Sequence, residues 1–287
     1  MERLAALVAE TSSSLPEDVL SAIRKSARRE ERGSPASAVL ATILKNCALA
    51  KKNKTPLCQD TGTLSFFVSS SLRRVVTREV VEKAVALATE RGSLRRNSID
   101  SVTGFSYDDN CALGHPVIYY VDDEYATGKG KVTLMMKGGG SENMSRQYSL
   151  PDSTLGAGRD LEGVRKCIID AAVKAQGFGC APGILGVCIG GDRATGYSVA
   201  KEQFLRRIAG KDGESPDLTI RKLEKTLLEE INSLGIGPMG LGGNTTVLDV
   251  KIASRSRLPA SFFVTVAYMC WALRRRTIIF GGKDDEQ

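Results

Sequence analysis

Short apolar strand patterns alternate along this chain with longer amphipathic ones, and glycine turns punctuate the joins. No other feature restricts the possible folds as much. GILGVCIGG is wholly apolar, bounded by glycines and too short for an ordinary helix, so it reads as a buried strand. TLSFFVSS, GHPVIYYV, KVTLMM and TTVLDVKIA carry the β-branched and aromatic residues of further strands. Helical spacing lies between them: after Pro16, from Ser34 to Ala50, from Thr77 to Glu90 with Thr77 as N-cap, and from Arg159 to Gln176 with Gly177 closing. Two more helices are expected, around Val199 to Ala209 and from Thr219 to Leu234. Strands separated by helices predict a mixed α/β (α+β) fold, one main sheet surrounded by helices. No linker, repeat or low-complexity block interrupts the pattern, so a single domain over residues 1–287 is expected.

A chain of 287 residues with 42% hydrophobic and 25% charged residues can bury a substantial core without disulfide staples. The longest nearly apolar stretch, Leu258 to Leu273, ends in Arg274, Arg275 and Arg276 and falls short of the roughly 20 residues of a membrane span. It reads as a core segment. The opening MERLAALVAETSSSLPEDV places acidic residues on both sides of a short apolar patch, unlike a secretory signal, so a cytoplasmic location is expected. A net charge of +7 would suit nucleic acid, an acidic membrane or a small polyanion. Aromatics at 6%, with basic residues dispersed among acids, count against nucleic acid.

Seven cysteines, an odd number scattered over a long chain, do not form a secreted disulfide framework. Cys58 follows a proline turn and precedes Gln59 and Asp60, Cys180 lies in GFGCAPG, and Cys270 lies in YMCWALRR. A cubane cluster is held by thiolates, and three of them leave one iron open to substrate. No local Cys-x-x-Cys spacing supports that reading, and a small buried hydrophobe accounts for a lone cysteine equally well. Cys47 and Cys167 lie in helical patterns and Cys188 on an apolar strand, so all three read as packing, while Cys111 sits in a loop without an assigned role. KGGGSEN and GIGPMGLGGN could aim backbone N–H groups at an anion or simply make tight turns. Neither matches a nucleotide-binding loop. His115 is the sole histidine, which rules out a two-histidine metal site within this chain; it reads as a loop residue.

Taken together, PLCQDTG, LRRNSID, KGGGSENMSRQYSLP, AGRDLEGVRKCIIDA, GCAPGILGVCIGGDRATGY and the long run from GIGPMGLGGN to YMCWALRR are similar to the N-terminal half of class I fumarases. They also resemble the alpha subunit of L(+)-tartrate dehydratase, and the resemblance extends from about residue 10 to residue 280. It implies the cluster-binding domain of an iron–sulfur hydro-lyase. The implied reaction is interconversion of fumarate and L-malate, a step of the tricarboxylic acid cycle, or dehydration of L(+)-tartrate or another hydroxy-diacid. The implied cofactor is a [4Fe–4S] cluster with one non-cysteine-ligated iron, held by Cys58, Cys180 and Cys270. By the same resemblance Gln59 and Asp60 lie at the substrate, Asp60 protonating or orienting the departing hydroxyl. Arg95, or failing it Arg96, pairs with a substrate carboxylate, and Gly139, Gly140 and Ser141 offer main-chain donors to the other. Some relatives carry a histidine where this chain has Leu258, which bears on substrate identity. Single-chain class I fumarases continue into a further domain that holds the proposed threonine base, so a separate beta subunit and a hetero-oligomer are expected.

Overall fold

The computed structural model describes residues 1–122 and 129–281. They form two compact units, each drawn from separate stretches of chain: Met1–Pro16, Lys45–Gly139 and Ala272 onward in the first, Glu17–Leu44 and Gly140–Trp271 in the second.

The first unit is built on β1 (Thr63–Ser69), β4 (Val117–Val121), β5 (Gly130–Lys137) and β10 (Arg274–Phe280), in the order β10-β5-β1-β4. Alternation along β1 places Leu64, Phe66 and Val68 on one face, where they join Leu4, Leu7 and Val8 of α1 (Glu2–Ser13) and Val81 and Val85 of α4 (Arg78–Glu90). Phe67 points to the other face and stacks on Tyr119, centroids 5.0 Å apart. Both faces of β1 are therefore covered, which is why its sequence is almost continuously apolar. Thr77 starts α4 by accepting a hydrogen bond from the Val80 N–H. A small ribbon, β2 (Ser98–Ile99) with β3 (Ser106–Tyr107), completes the unit.

The second unit contains α2 (Glu17–Ala27) and a sheet of β6 (Arg146–Ser149), β7 (Gly183–Gly190), β8 (Val247–Arg255) and β9 (Phe263–Met269), in the order β6-β9-β7-β8. Every residue of β7 is buried. Leu185 and Val187 pack with Val164, Ile168 and Ala171 of α6 (Leu161–Ala175) and with Leu227 and Ile231 of α8 (Leu218–Ser233). Asp160, Asp192 and Asp217 cap α6, α7 (Arg193–Glu202) and α8 through their carboxylates. The helix α3 (Pro35–Asn53) and the single turn α5 (Gly139–Glu142) each span a boundary between stretches.

The mixed α/β class holds, but the expected single main sheet is replaced by two four-stranded sheets and the ribbon. Local patterns mark strands without naming their partners. The two larger sheets share one plan: the central strand (β1 or β7) runs parallel to one neighbour (β4 or β8) and antiparallel to the other (β5 or β9). No sequence repeat announces this. The helix expected at 199–209 lies at 193–202, because the Asp192 carboxylate accepts from the Ala194 and Thr195 N–H groups and starts it earlier. Within the apolar stretch only Phe263–Met269 is strand, and Leu258 is 74% exposed. Both α1 and β10 lie where no element was expected. No helix among the described residues is long and apolar enough to cross a membrane.

Candidate active site

Each central strand is entered from a loop that carries one of the predicted cysteines, Cys58 before β1 and Cys180 before β7. At that same end the antiparallel neighbour stops. Thr63 of β1 pairs with Lys137, soon after which comes Gly139, and Ile184 of β7 pairs with Met269, after which comes Cys270. Sheet topology thus places Cys58 and Gly139 at one strand end of the first unit, and Cys180 and Cys270 at one strand end of the second.

In the first unit Cys58 and Asp60 are half-buried and Gln59 is exposed. The loop is held from several sides. Gly62 has φ +74°, a left-handed conformation, and a Cβ there would overlap the Lys137 carbonyl, so only glycine fits. The Asp60 N–H lies 3.4 Å from Cys58 Sγ, its Oδ1 accepts from Asn97 Nδ2 at 3.0 Å, and its Oδ2 sits 2.8 Å from where a Cβ on Gly138 would stand. Thr61 Oγ1 donates to the Arg95 carbonyl at 2.8 Å and accepts from the Arg95 N–H at 3.1 Å, which ties the Cys58 loop to the LRRNSID segment. Asn110, 1% exposed, donates to the same carbonyl at 2.9 Å and accepts from the Asn97 N–H at 2.7 Å. Beneath the loop Arg274, also 1% exposed, donates from one terminal nitrogen to the carbonyls of Asp60 (2.9 Å) and Thr61 (3.3 Å).

The Arg95 side chain is exposed and has no protein partner among the described residues. Arg96 instead pairs with Asp108 at 2.8 Å, and both side chains are exposed. A pair of that kind contributes little to stability. It does occupy the guanidinium, which leaves Arg95 the better placed of the two to meet an anion.

In the second unit Cys180 is exposed and adopts φ +56°, uncommon for any residue but glycine. Its N–H donates to the Gly177 carbonyl at 3.1 Å, and its carbonyl accepts from the Trp271 N–H at 3.4 Å, which links it to the Cys270 segment. Cys270 is half-buried. Tyr268, on β9 two positions before it, packs its ring where Cβ atoms on Gly179 and Gly183 would lie. Its hydroxyl is buried and has no hydrogen-bond partner. Burial, then the electrostatic influence of Cys270 and Cys180, raises that hydroxyl above its ordinary pKa. Gly140 is exposed and Ser141 buried in α5, with Gly139 exposed at its start.

The other cysteines are poor candidates. Cys47, Cys167 and Cys188 are buried, and burial pushes the latter two thiols up to about 11. Cys111 donates to the Glu82 carbonyl at 3.3 Å and is pushed up to about 12 by burial, Asp109 and Glu82, so it stays protonated near neutrality. His115 exchanges backbone hydrogen bonds with Ala112 in its loop. Among the described residues of either unit, no three His, Cys, Asp or Glu side chains converge as a metal site.

A family model described as "Fumarate hydratase (Fumerase)" matches residues 1–279. The chain belongs to the fumarate hydratase family. Among curated members it is 47% identical over 279 residues to "Putative fumarate hydratase class I" of Geobacillus stearothermophilus, covering 96% of this chain but 53% of that one. It thus spans about half the length of that relative. It is 35% identical to "Putative L(+)-tartrate dehydratase subunit alpha" of Methanocaldococcus jannaschii, over 94% of this chain and 93% of the relative. Identity to L(+)-tartrate dehydratase subunit alpha of Escherichia coli K12 is 30%, over 97% of this chain and 89% of the relative.

Within this fumarate hydratase family chain, sequence reasoning missed Asn97, Asn110, Arg274 and Tyr268. Asn97 and Asn110 are polar loop residues with no local signal. Arg274 and Tyr268 lie inside the motif around Cys270, where Arg274 reads as a basic flank and Tyr268 as strand.

Proposed function

We propose that this chain is the cluster-carrying alpha part of a hydro-lyase that interconverts fumarate and L-malate in the cytoplasm. What carries this reading is the 47% identity to "Putative fumarate hydratase class I" of Geobacillus stearothermophilus across 96% of the chain. Residues 1–287 then work as one cluster-binding domain, with Cys58, Cys180 and Cys270 as ligands of a [4Fe–4S] cluster. The thiols outside the packed cores and the buried hydroxyl of Tyr268 without a partner suit a group still to be bound. When bound, such a cluster supplies a Lewis-acid iron with an exchangeable position.

The remaining steps fall to the chain itself. Asp60, fixed by Asn97 and by the absence of a side chain at Gly138, presents one carboxylate edge to protonate or orient the departing hydroxyl. Gln59, on the exposed side of the same loop, meets the substrate. Arg95 offers a planar fork to one carboxylate, and the main-chain N–H groups of Gly139, Gly140 and Ser141 serve the other. The proton on the adjacent carbon is removed by a base on a beta partner, as the resemblance to class I fumarases implies.

A second reading, the alpha subunit of L(+)-tartrate dehydratase or another hydroxy-diacid dehydratase, draws on relatives with that name whose length this chain nearly fills. Anaerobic reconstitution with a beta partner, followed by side-by-side turnover of fumarate, mesaconate and L(+)-tartrate, separates the two. Fumarate should turn over fastest. Activity titrated with the partner should break at equimolar ratio, and full turnover by this chain alone would overturn the split site.

A further inference from the structure

We infer that Tyr268 is a positioning residue for the cluster, its hydroxyl donating a hydrogen bond to a cluster sulfur beside Cys180 and Cys270. The inference rests on the cluster assignment proposed above. Its own support is geometric. Tyr268 is 2% exposed, yet its hydroxyl meets no acceptor among the described residues. The large majority of buried side-chain polar atoms have a hydrogen-bond partner, so this hydroxyl points to one that the polypeptide does not supply.

The direction of the side chain narrows what the partner is. In the β7–β9 ladder Tyr268 stands opposite Leu185, and the phenol leans diagonally to Gly183. A Cβ on Gly183 would overlap the hydroxyl, and one on Gly179 would overlap the ring. These two glycines bracket the turn that carries Cys180, so the phenol lies flat against that turn. Cys270 follows two residues along, just past the end of β9, and the Trp271 N–H donates to the Cys180 carbonyl at 3.4 Å. Both of the unit's predicted ligands therefore lie on segments next to the phenol, and the lack of side chains at Gly179 and Gly183 is what gives the ring room there.

A hydrogen bond to a cluster sulfur stabilises the more negative, reduced state and raises the reduction potential. A bond of ordinary net strength changes the oxidised-to-reduced ratio at a fixed ambient potential by roughly threefold to tenfold, and tenfold corresponds to about 59 mV for a one-electron couple. Tyr268→Phe keeps the ring and deletes only the donor.

The test reconstitutes the full chain and Tyr268→Phe anaerobically. It measures iron and sulfide content, visible absorbance, the midpoint potential, and exchangeable-proton couplings of the reduced cluster by pulsed electron resonance in H2O and D2O. The expected result is an equal cluster content, a lowered potential, and one exchangeable coupling present in the parent and absent in the variant. Equal potentials with identical couplings would overturn the inference while leaving the cluster assignment standing. A parent chain that takes up no iron and sulfide would instead remove the assignment on which it rests. Should Tyr268→Phe misfold, the parent alone decides: lack of any strongly coupled exchangeable proton refutes the donor.

Discussion

Replacing Asn110 by alanine should loosen the Cys58 loop and the Arg95 segment together. The amide makes three hydrogen bonds, donating to Thr89 Oγ1 at 3.0 Å and to the Arg95 carbonyl at 2.9 Å and accepting from the Asn97 N–H at 2.7 Å. At about 1 kcal/mol net for each, their loss costs about 3 kcal/mol. Asn110 also sits at φ +61°, where alanine is less favourable than asparagine by up to about 1 kcal/mol. The Arg95 carbonyl keeps Thr61 as a donor, and Asn97 lies at the surface where water can reach its freed N–H, so the upper bound is about 4 kcal/mol. Asn110→Asp retains the acceptor and loses both donors, and should fall between the two. The sole tryptophan, Trp271, belongs to the second unit and is a poor reporter of this change. Hydrogen exchange resolved by peptide is the suitable assay, read on segments covering residues 58–62 and 89–97. Opening free energies there should drop by about 3 kcal/mol while those of β7 and α6 stay unchanged. A drop below about 1 kcal/mol would refute the claim that Asn110 is the anchor of this network.

Gly138→Ala should displace the Asp60 carboxylate that stands 2.8 Å from the new Cβ, lowering kcat of the reconstituted enzyme by about a hundredfold with little change in melting temperature; a near-parental kcat would free Asp60 from that contact. Cys58→Ser, Cys180→Ser and Cys270→Ser should each lose cluster absorbance on anaerobic reconstitution, whereas Cys188→Ala, which changes a buried strand residue, should keep it. Arg95→Met should raise KM more than it lowers kcat, and Arg95→Lys should recover only part, since a point charge does not replace a planar fork; unaltered KM in both would place Arg95 outside the site. Cys167 and Cys188 have folded values near 11 against an ordinary 9.0, so the folded chain keeps their protons longer than the unfolded one. Their stabilising contribution is complete below pH 9 and is lost as pH rises toward 11. Urea midpoints should therefore fall across that window, with a slope of up to roughly 1.4 kcal/mol per pH unit for each thiol, and the slope should shrink in Cys167→Ala.

Much of the site could be read before the structure because its signals are local. PLCQDTG breaks a helix and enters a strand, so Cys58 falls on a loop; GFGCAPG does the same for Cys180; and Cys188, inside an uninterrupted apolar run, falls in the core. The networks behind them were not legible, since Asn97 and Asn110 look like any loop asparagines until Asp60 is brought to Asn97 and Arg95 to Asn110 from other parts of the chain.

Sequence alone determined the type of the elements it marked, the Thr77 cap and the separation of packing cysteines from loop cysteines, because periodicity, capping and burial of an apolar run are set within a few residues. Only the tertiary structure decided how strands pair, and that decision changed the meaning of particular side chains. Arg274 ends an apolar run and reads as a solvated flank, yet β10 pairs with β5 so that Arg274 faces Met136 and lies buried under the Asp60 carbonyl. Tyr268 reads as one more strand aromatic until the turn before β7 folds its two glycines onto the ring. Both outcomes depend on sheet register, a long-range choice that no local window of residues encodes.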